Sequence, residues 1–391
     1  MRSIKNVIGK PVTGSNFFGR EQELDELDQI THGEHVLLLA PRRVGKTSLL
    51  FALRSKVNQE SSAVGVYVSV AAATNELQFA RAVLQAIYDT KAGKRLKPNP
   101  IRAWLRRIKS VKVAGNGIDL ENRATPEWQE EAERAFTAIA ASGTPWLILI
   151  DELPTLVLLL ARSEPEGARV RAFLQWFRNL RQLPGAENLR FVLAGSIGLD
   201  NVTRRHRLTD TINDLRDWRL GAFTNENADR FLVQLAESYQ LEVGPELCLA
   251  IRERAEWLIP YHLQVIFSAL RDQCSARVRP SPAALDLAIE ALLSRKAYFS
   301  YWNERLGDAF GAPEDDIART LLKTCAREPH GATTAALHQS ITRLVANTRE
   351  RSETTAWILD VLENDGYLIE ESGRSRFRSG LLRQYWQRQV A

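Results

Sequence analysis

Short hydrophobic runs alternate with longer segments of helical periodicity over the first 222 residues of the chain. The runs lie at residues 36–39, 64–70, 146–150 and 189–195. A short, continuous apolar run is typical of a strand that is buried on both faces of a parallel sheet. Because helices are predicted between the runs, the pattern predicts an α/β core with a doubly wound parallel sheet. Such a sheet binds its ligand at the carboxyl ends of the strands.

The pattern becomes helical from residue 225 onward. Helices are predicted at residues 225–238, 245–255, 260–275 and 282–294. Three further helices are then predicted at residues 314–327, 334–344 and 353–364. Two strands follow, at 366–370 and 376–378, with a turn between them at 372–374, and a last helix is predicted at 381–389. Helices followed by a two-stranded wing indicate a winged-helix domain. We therefore predict an α/β core at 1–222, a helical lid at 223–296, and a linker with a winged-helix domain at 297–391.

A loop follows the first apolar run and precedes a predicted helix that starts at Ser48. Its sequence is Ala40-Pro41-Arg42-Arg43-Val44-Gly45-Lys46-Thr47. In a strand–loop–helix context, the backbone N–H groups and the positive end of the helix bind phosphate, so a chance turn is the weaker interpretation. Lys46 can reach the outer phosphates of a nucleotide, and the Thr47 hydroxyl can bind Mg²⁺. Ala40 stands where this motif usually has glycine, so we expect a modest shift of the turn.

Two adjacent carboxylates follow the third apolar run. Asp151 and Glu152 come directly after the apolar residues 146–150. Beside a phosphate-binding loop, the first carboxylate can hold Mg²⁺ or its waters, and the second can polarise an attacking water. The alternative is an acidic surface turn after a strand. The loop upstream favours the catalytic interpretation.

Composition and cysteine spacing exclude several classes of protein. The chain has 391 residues, 45% hydrophobic and 25% charged, as in ordinary soluble globular proteins. Cys248, Cys274 and Cys325 are too widely spaced for a metal site or a disulfide framework, which indicates a reducing compartment. No signal-peptide pattern begins the chain, and the apolar run at 156–161 is far shorter than the roughly 20 residues that span a bilayer. These features predict a cytoplasmic protein without a transmembrane segment.

One segment is strongly basic, although the formal net charge of the chain is only +5. Nine lysine and arginine residues and no acidic residue lie between Lys91 and Lys112. Apolar residues at helical spacing over 101–108 predict a basic amphipathic helix, and the alternation at 110–120 predicts a β-hairpin. Together they predict an insertion in the core at residues 91–120. Its charge favours an acidic partner such as nonspecific DNA; a solvated helix face, an acidic protein and anionic lipid are the alternatives.

The chain resembles the archaeal-type ATPases that stand beside the STAND group within the AAA+ class. The resemblance covers nearly the whole length. It rests on the loop, the acidic pair, the helical region, the winged-helix tail, and two further motifs, Phe18-Gly19-Arg20-Glu21 and Ala194-Gly195-Ser196-Ile197-Gly198. It implies a Mg²⁺-dependent ATPase.

The resemblance also implies roles for individual residues. The loop, from Ala40 to Ser48, would bind the phosphates, Thr47 and Asp151 would hold Mg²⁺, and Glu152 would orient water. Gly19 and Arg20 would lie near the adenine, Ser196 would sense the γ-phosphate, and Pro260 would be the lid proline. The family usually has glycines before that proline, where this chain has Trp257-Leu258-Ile259. Arg216 falls where the family places an arginine that responds to nucleotide. Other arginines that could have this role lie nearby in the sequence, namely Arg204, Arg205, Arg207 and Arg219. The alternative for Arg216 is an ordinary surface role.

Three interpretations of the function are consistent with the sequence. In the first, ATP switches the conformation of the lid and the winged helix, and thereby controls a protein partner or self-association. In the second, the chain is a DNA-binding ATPase similar to archaeal replication initiators. In the third, it is a nucleotide-stabilised scaffold without significant hydrolysis. The presence of Lys46, Thr47, Asp151 and Glu152 disfavours the third.

The charge of the winged-helix region favours the first interpretation over the second. Residues 310–391 contain 11 basic and 11 acidic residues, and the predicted recognition helix at 353–364 has three acids and no lysine or arginine. A helix that reads the major groove normally carries positive charge or base-reading amides. If DNA binds, we expect the basic segment and the wing residues Arg374, Arg376 and Arg378 to contact it.

Overall fold

The computed structural model of the chain describes residues 3–97, 99–111, 128–164, 166–195, 199–274, 279–295 and 298–389. Two units make up the chain. The sheet unit comprises residues 22–39 and 49–219, and the helical unit comprises residues 1–21, 40–48 and 220–391. Within the described ranges, no helix combines the length and the apolar character needed to cross a membrane.

Five strands form one parallel sheet in the described part of the sheet unit. They are β1 (His35–Leu39), β2 (Val64–Ser69), β3 (Trp146–Asp151), β4 (Leu189–Gly195) and β5 (Leu215–Arg219), in the order β2-β3-β4-β1-β5. The three central strands are almost wholly buried, because Val, Leu and Ile on both faces of each strand are covered. The predicted α/β class and its first four strands are confirmed.

Helices connect the strands of this sheet. They are α1 (Glu21–Thr31), α2 (Lys46–Glu60), α3 (Glu76–Asp89), α4 (Lys91–Arg95), α5 (Pro100–Val111), α6 (Trp128–Ala140), α7 (Leu153–Ser163), α8 (Ala168–Arg181) and α9 (Leu199–Arg205). The predicted basic amphipathic helix is α5, which buries Ile101, Trp104 and Leu105. The hairpin predicted at 110–120 lies outside the described residues, except that residues 110 and 111 belong to α5.

The sequence pattern does not predict β5. Only Leu215 and Trp218 of this strand are buried, and its other residues are charged and exposed. The strand pairs with β1 alone, at the edge of the sheet. An edge strand tolerates charged residues because one of its sides has no neighbour, so it lacks the apolar run that marks a central strand.

The helical unit contains the predicted all-α region, a linking helix and the winged helix. The all-α region consists of α10 (Asn225–Ser238), α11 (Pro245–Ala255), α12 (Pro260–Gln273) and α13 (Pro282–Ser294), and α14 (Ser300–Phe310) follows. The winged helix consists of α15 (Glu314–Arg327), β6 (Ala332–Thr333), α16 (Thr334–Ser340), α17 (Thr348–Asn364), β7 (Leu368–Glu371), β8 (Arg374–Phe377) and α18 (Gly380–Gln389). Its strands form an antiparallel sheet in the order β6-β8-β7. The predicted fold class is confirmed, and the domain boundaries at 222 and 296 stay predictions.

The candidate recognition helix α17 begins earlier than the sequence pattern predicts. Asn347 caps it, because the side chain of Asn347 accepts hydrogen bonds from the backbone N–H groups of Arg349 (2.9 Å) and Glu350 (3.0 Å). The helix therefore includes Arg349 and Arg351, and the prediction that it carries no arginine is wrong. A capping residue followed three positions later by glutamate is a helix-start signal that the apolar periodicity alone did not reveal.

Each unit contains a histidine that is held neutral inside the protein. Burial, reinforced by the charge of Arg181, lowers the pKa of His35 to about 4. The backbone N–H of Phe191 donates to Nδ1 of this imidazole (3.2 Å), so its other nitrogen carries the proton. Burial lowers the pKa of His262 to about 4 as well, and its Nδ1 lies 3.2 Å from the carbonyl oxygen of Trp257.

We expect the stability of the chain to fall as the pH decreases below 6.5. In this range the unfolded chain takes up protons at both histidines, whereas the folded imidazoles stay neutral until about pH 4. At pH 5 each histidine should lower the free energy of unfolding by about 2 kcal/mol relative to pH 7.5. Urea unfolding of the wild type at the two pH values measures this loss.

Variants test the assignment of that loss to the two buried histidines. His35→Gln and His262→Gln should each reduce the difference between the two pH values, because glutamine does not titrate. His330 is exposed, so His330→Gln is the matched control and should leave the difference unchanged. An equal pH dependence in all three variants would contradict the assignment.

Candidate functional site

The loop between β1 and α2 contains two residues with left-handed backbone conformations. Positive φ angles fall on Arg43 (67°) and Gly45 (102°) and not on Ala40, so the alanine at the usual glycine position needs no left-handed conformation. The space that a Cβ would take at Gly45 is open, with nothing within 4 Å. The loop therefore has open space beside Gly45, directly before the first turn of α2.

The first residues of α2 complete this loop. Lys46 is buried, with 7% of its surface exposed, and Ser48 is buried as well. The Ser48 hydroxyl accepts a hydrogen bond from the backbone N–H of Val12 (3.0 Å), so the N-terminal segment of the chain is attached to the start of the helix. This contact gives Ser48 a structural role.

The acidic pair lies at the carboxyl end of β3. Asp151 is 2% exposed. Its Oδ1 accepts a hydrogen bond from the backbone N–H of Glu152 (3.1 Å), and its Oδ2 accepts one from the Tyr67 hydroxyl (3.2 Å). Burial and the charge of Asp151 raise the pKa of Tyr67, so this hydroxyl keeps its proton and acts as the donor.

Glu152 adopts a left-handed backbone conformation, with φ 65° and ψ 27°, where the chain turns from β3 into α7. Such a conformation is costly for a residue with a side chain, and strained residues are concentrated at functional sites. The Thr155 hydroxyl donates to one oxygen of the Glu152 carboxylate (3.3 Å). The side chain is half-buried, so a part of it stays accessible.

Strand register brings the carboxyl ends of three strands to one edge of the sheet. Leu39 of β1 pairs with Gly195 of β4, and Asp151 of β3 pairs with Ala194. A Cβ at Gly195 would overlap Pro154 of α7, so the glycine allows the turn that carries Glu152 to pack closely on β4. Ser196 follows this strand in the chain but lies outside the described residues. Because Ala40 follows Leu39, the loop starts at this same edge.

Arg20 is a structural clamp in the helical unit. Its guanidinium is buried and donates to the carbonyl oxygens of Gly221 (2.7 Å) and Val44 (3.3 Å). It also stacks on the ring of Phe223, 4.5 Å from the ring centroid. Gly19 has a positive φ of 70° and its carbonyl oxygen accepts from Asn227 (3.2 Å). Arg20 therefore fixes the loop backbone at Val44 to the segment that leads into the lid.

Pro260, the predicted lid proline, is the first residue of α12. Trp257, Leu258 and Ile259, which stand where glycines were expected, are buried. The Leu258 carbonyl oxygen accepts from the backbone N–H of Phe223 (2.9 Å), which attaches this turn to the segment that contains Gly221. In this chain, burial of three apolar side chains therefore stabilises the turn before α12, where the family usually has glycines.

Two tyrosines hold the arginines of the loop, an arrangement that sequence reasoning missed. The Arg43 guanidinium lies 4.6 Å from the ring centroid of Tyr261 in α12 and 5.0 Å from that of Tyr301 in α14. It also donates to the Gly9 carbonyl oxygen (3.2 Å), and Arg42 donates to the Tyr301 hydroxyl. We call Tyr261 and Tyr301 the tyrosine clamp. Its sequence signals were a tyrosine directly after the lid proline and an aromatic-rich segment at 298–302.

Contacts within the helical unit continue from the loop to the winged helix. Gly366 packs against both Trp257 and Pro41, since a Cβ on it would overlap the Trp257 ring and lie 3.0 Å from the Pro41 Cβ. The Tyr367 hydroxyl donates to the backbone carbonyl of Trp302 in α14 (2.6 Å). The loop therefore contacts α12, α14 and the winged helix, and the winged helix contacts α14 and the turn before α12.

Arg216 lies away from the edge where the loop starts. It sits in β5, in register with Val36, and its guanidinium pairs with Glu34 (2.6 Å), which precedes β1. Glu34 is at the amino end of β1, about 16 Å along the strand from Leu39 at 3.3 Å per residue. The structure therefore gives Arg216 a surface ion pair, which agrees with the alternative surface role, and its response to nucleotide stays a prediction. The sequence could not show this because β5 was not predicted.

The basic segment forms a positively charged surface beside the start of β2. Six of its side chains are exposed and form no ion pair with a described residue; they are Lys91, Lys94, Arg95, Lys97, Arg102 and Arg106. We call these six the basic surface. Arg107, in contrast, pairs with Glu131. A groove of about 980 Å³ lies beside α4 and is lined by Lys91, Arg95, Lys97, Asn58, Ser142 and Thr144, among others.

The wing arginines are engaged in contacts within the helical unit. Arg374 donates to the Gly331 carbonyl oxygen (3.0 Å), and Arg376 pairs with Glu371 (2.8 Å). Arg378 pairs with Glu363 (3.7 Å) and stacks on Trp257, 5.5 Å from a ring centroid. These contacts make the wing a weaker candidate for phosphate binding than its sequence suggests.

Comparison with solved structures identifies the fold. The chain is similar to a Walker-type ATPase of Pyrococcus abyssi, with 16% identity, 96% of this chain and 98% of that chain covered, and a TM-score of 0.62. It is also similar to the ORC2 protein of Aeropyrum pernix in its ADPNP–ADP complexes (14% identity, 99% and 98% covered, TM-score 0.48). A third similar structure is the ORC1 protein of Aeropyrum pernix in complex with DNA (14%, 96% and 94%, 0.43).

The first of these similarities shows that the chain has the fold of a Walker-type P-loop ATPase, which confirms the fold expected from the family resemblance. At 16% identity it shows the fold alone. No protein-family model matches the chain, and no curated protein matches it.

We expect Tyr301→Ala to release the loop from the tyrosine clamp. The variant removes the ring beside Arg43 and the hydroxyl that accepts from Arg42. Loss of about 1 kcal/mol of cation–π energy should raise the rate of trypsin cleavage after these arginines about fivefold. Mass spectrometry of timed digests measures the rate. Tyr301→Phe keeps the ring and should stay close to the wild type, whereas equal rates for Tyr301→Ala and wild type would contradict the clamp.

Proposed function

We propose that the chain binds ATP with Mg²⁺ at the carboxyl edge of the sheet and hydrolyses it. One observation carries this proposal: a loop with a glycine at φ 102° and an open cradle leaves β1 at the edge where β3 ends in Asp151 and Glu152. Backbone N–H groups suit phosphate oxygens, and carboxylate and hydroxyl oxygens are the ligands that Mg²⁺ prefers. The residues present therefore fit MgATP.

Each residue in this proposal has a defined task. The loop, from Ala40 to Thr47, and Lys46 within it bind the phosphates, and Thr47 and Asp151 hold the metal. Bound Mg²⁺ neutralises charge on the phosphates. Glu152, held by its left-handed backbone and by Thr155, orients the attacking water and accepts its proton. Gly19, Arg20 and Pro260 shape the base-binding side through the backbone, and Ser196 is the proposed γ-phosphate sensor.

We further propose that nucleotide binding changes the conformation of the helical unit and so controls a partner protein or self-association. The support comes from the tyrosine clamp. Phosphates and the two tyrosines compete for the orientation of the loop arginines, because bound phosphate attracts the same guanidinium groups. Since α14 carries Tyr301 and also contacts the winged helix through Trp302, a movement of the loop can reach the winged helix.

A second candidate function is nonspecific binding of DNA, and the basic surface favours it. Six cations without a described acidic partner lie along two short helices and a groove of about 980 Å³. Unpaired positive charge on one face is the electrostatic footprint of a protein that binds a phosphate backbone. The groove at this surface is lined in part by Val64, the first residue of β2, so it lies at the amino edge of the sheet.

Two variants test the ATPase proposal. Lys46→Ala should abolish tight binding of a fluorescent ATP analogue, because the cation that faces the outer phosphates is lost. Glu152→Gln should bind the analogue as the wild type does, while turnover falls on the order of 10²-fold or more through the loss of the general base. Binding is measured by fluorescence titration and turnover by phosphate release.

The outcomes separate the parts of the proposal. Unchanged binding by Lys46→Ala would refute the loop as the nucleotide site. A Glu152→Gln protein with wild-type turnover would show that another residue activates water. A wild type that binds ATP without measurable turnover would favour the scaffold interpretation.

The basic surface is tested by the salt dependence of duplex DNA binding. Each phosphate contact should contribute about −0.9 to the slope of log affinity against log salt concentration, so replacing Lys91, Arg95, Arg102 and Arg106 by glutamine should reduce the slope by roughly 3 to 4. ATP binding should not change. The matched control replaces Arg252, Arg254, Arg295 and Arg388, each of which pairs with a carboxylate, and removes the same charge.

The control variant should keep most of the wild-type slope. If both quadruple variants lose the slope equally, net charge rather than this surface governs binding. If the wild type does not bind duplex DNA at low salt, the second candidate function is refuted.

A further inference from the structure

The carboxylate of Asp151 is held by donors on both of its oxygens. One donor is the backbone N–H of Glu152, on Oδ1, and the other is the hydroxyl of Tyr67, on Oδ2, at 3.1 and 3.2 Å. The first bond is local and would form wherever this turn forms. The second comes from a neighbouring strand, so it depends on the tertiary structure.

Strand pairing explains why Tyr67 reaches this carboxylate. Ser69 of β2 is in register with Asp151 of β3, so the two residues point to the same face of the sheet. Tyr67 lies two residues before Ser69 and shares that face. It is therefore the diagonal neighbour of Asp151 across the strand pair. Diagonal neighbours have Cα atoms about 7–8 Å apart, a distance that a long aromatic side chain spans.

The ring of Tyr67 has a fixed orientation. Phe51 of α2 packs against it edge to face, with the ring centroids 4.6 Å apart and an interplanar angle of 71°. The tyrosine is half-buried between this helix and the sheet. Its hydroxyl is therefore directed by packing, and it does not have to be ordered when a ligand binds.

We propose that Tyr67 is a positioning residue for the metal ligand Asp151. The hydroxyl restrains the rotation of the carboxylate, so the carboxylate keeps the orientation that binding of Mg²⁺ requires. Removal of a residue that orients a metal ligand typically weakens metal binding by 10- to 100-fold. The inference rests on the proposed MgATP site, and it assigns Tyr67 no contact with nucleotide or metal.

The test compares nucleotide binding with and without the metal. For each variant, the dissociation constant of a fluorescent ATP analogue is measured in EDTA and in saturating Mg²⁺, and the ratio of the two values gives the coupling between metal and nucleotide. Tyr67→Phe should reduce this ratio by about 10-fold, with the constant in EDTA unchanged. Tyr88→Phe, which removes the hydroxyl of another half-buried tyrosine of the sheet unit, is the matched control and should keep the wild-type ratio.

Asp151→Asn, alone and with Tyr67→Phe, separates this inference from the proposed function. Asp151→Asn should reduce the ratio strongly, and the double variant should be no worse than Asp151→Asn, because Tyr67 acts only through Asp151. Thermal unfolding without ligand shows whether each variant is folded. If Tyr67→Phe is not folded, Phe51→Leu replaces it in the test, because it removes the ring that packs against Tyr67, and it should likewise reduce the ratio.

Two outcomes overturn the inference. If Asp151→Asn reduces the ratio and Tyr67→Phe leaves it within twofold of the wild type, the positioning role is refuted and the metal site stands. If neither variant changes the ratio, the metal site itself is refuted, and the role of Tyr67 with it.

Discussion

Parallel pairing of β1, β3 and β4 is the constraint on which the candidate site depends. In a parallel sheet all carboxyl ends lie at one edge, so the residues that follow Leu39, Asp151 and Gly195 leave the sheet together. Apolar side chains on both faces of these strands pack against the covering helices, and a slip by one residue would exchange the two faces and disrupt that packing. A loop and two carboxylates that are more than 100 residues apart in the chain thereby reach one edge.

The turns at this edge carry backbone strain. Arg43 and Glu152 both adopt left-handed conformations, which cost roughly 1 kcal/mol or more for a residue with a side chain. Each is restrained by its own unit: Arg43 by the tyrosine clamp and Gly9, and Glu152 by Thr155 and the packing of Pro154 on Gly195. The strain is therefore supported by packing that is independent of any ligand, which leaves both turns arranged before a nucleotide binds.

The groove at the basic surface is separated from the candidate nucleotide site along the strands. The groove beside α4 lies at the amino edge of β2 and β3, whereas Asp151 ends β3 at the carboxyl edge. A strand of six residues separates the two edges by about 20 Å at 3.3 Å per residue. This is roughly twice the Debye length of about 8 Å at physiological ionic strength, so a polyanion on the basic surface and a nucleotide at the other edge interact little through direct charge.

The sequence alone determined the α/β class, four of the five described strands of the parallel sheet, the bounds of the lid helices to within two residues, and the loop, because each depends on local periodicity or on a contiguous motif. Tertiary structure decided the rest. Charged β5 is recognisable only by its pairing with β1, and that pairing places Arg216 beside Glu34, near the amino end of β1. Tyr67 reaches Asp151 only through the β2–β3 register, and Arg43 meets Tyr261 and Tyr301 only after residues more than 200 positions apart have packed. No local pattern encodes such contacts, because their energy comes from surfaces that exist only once the chain has folded.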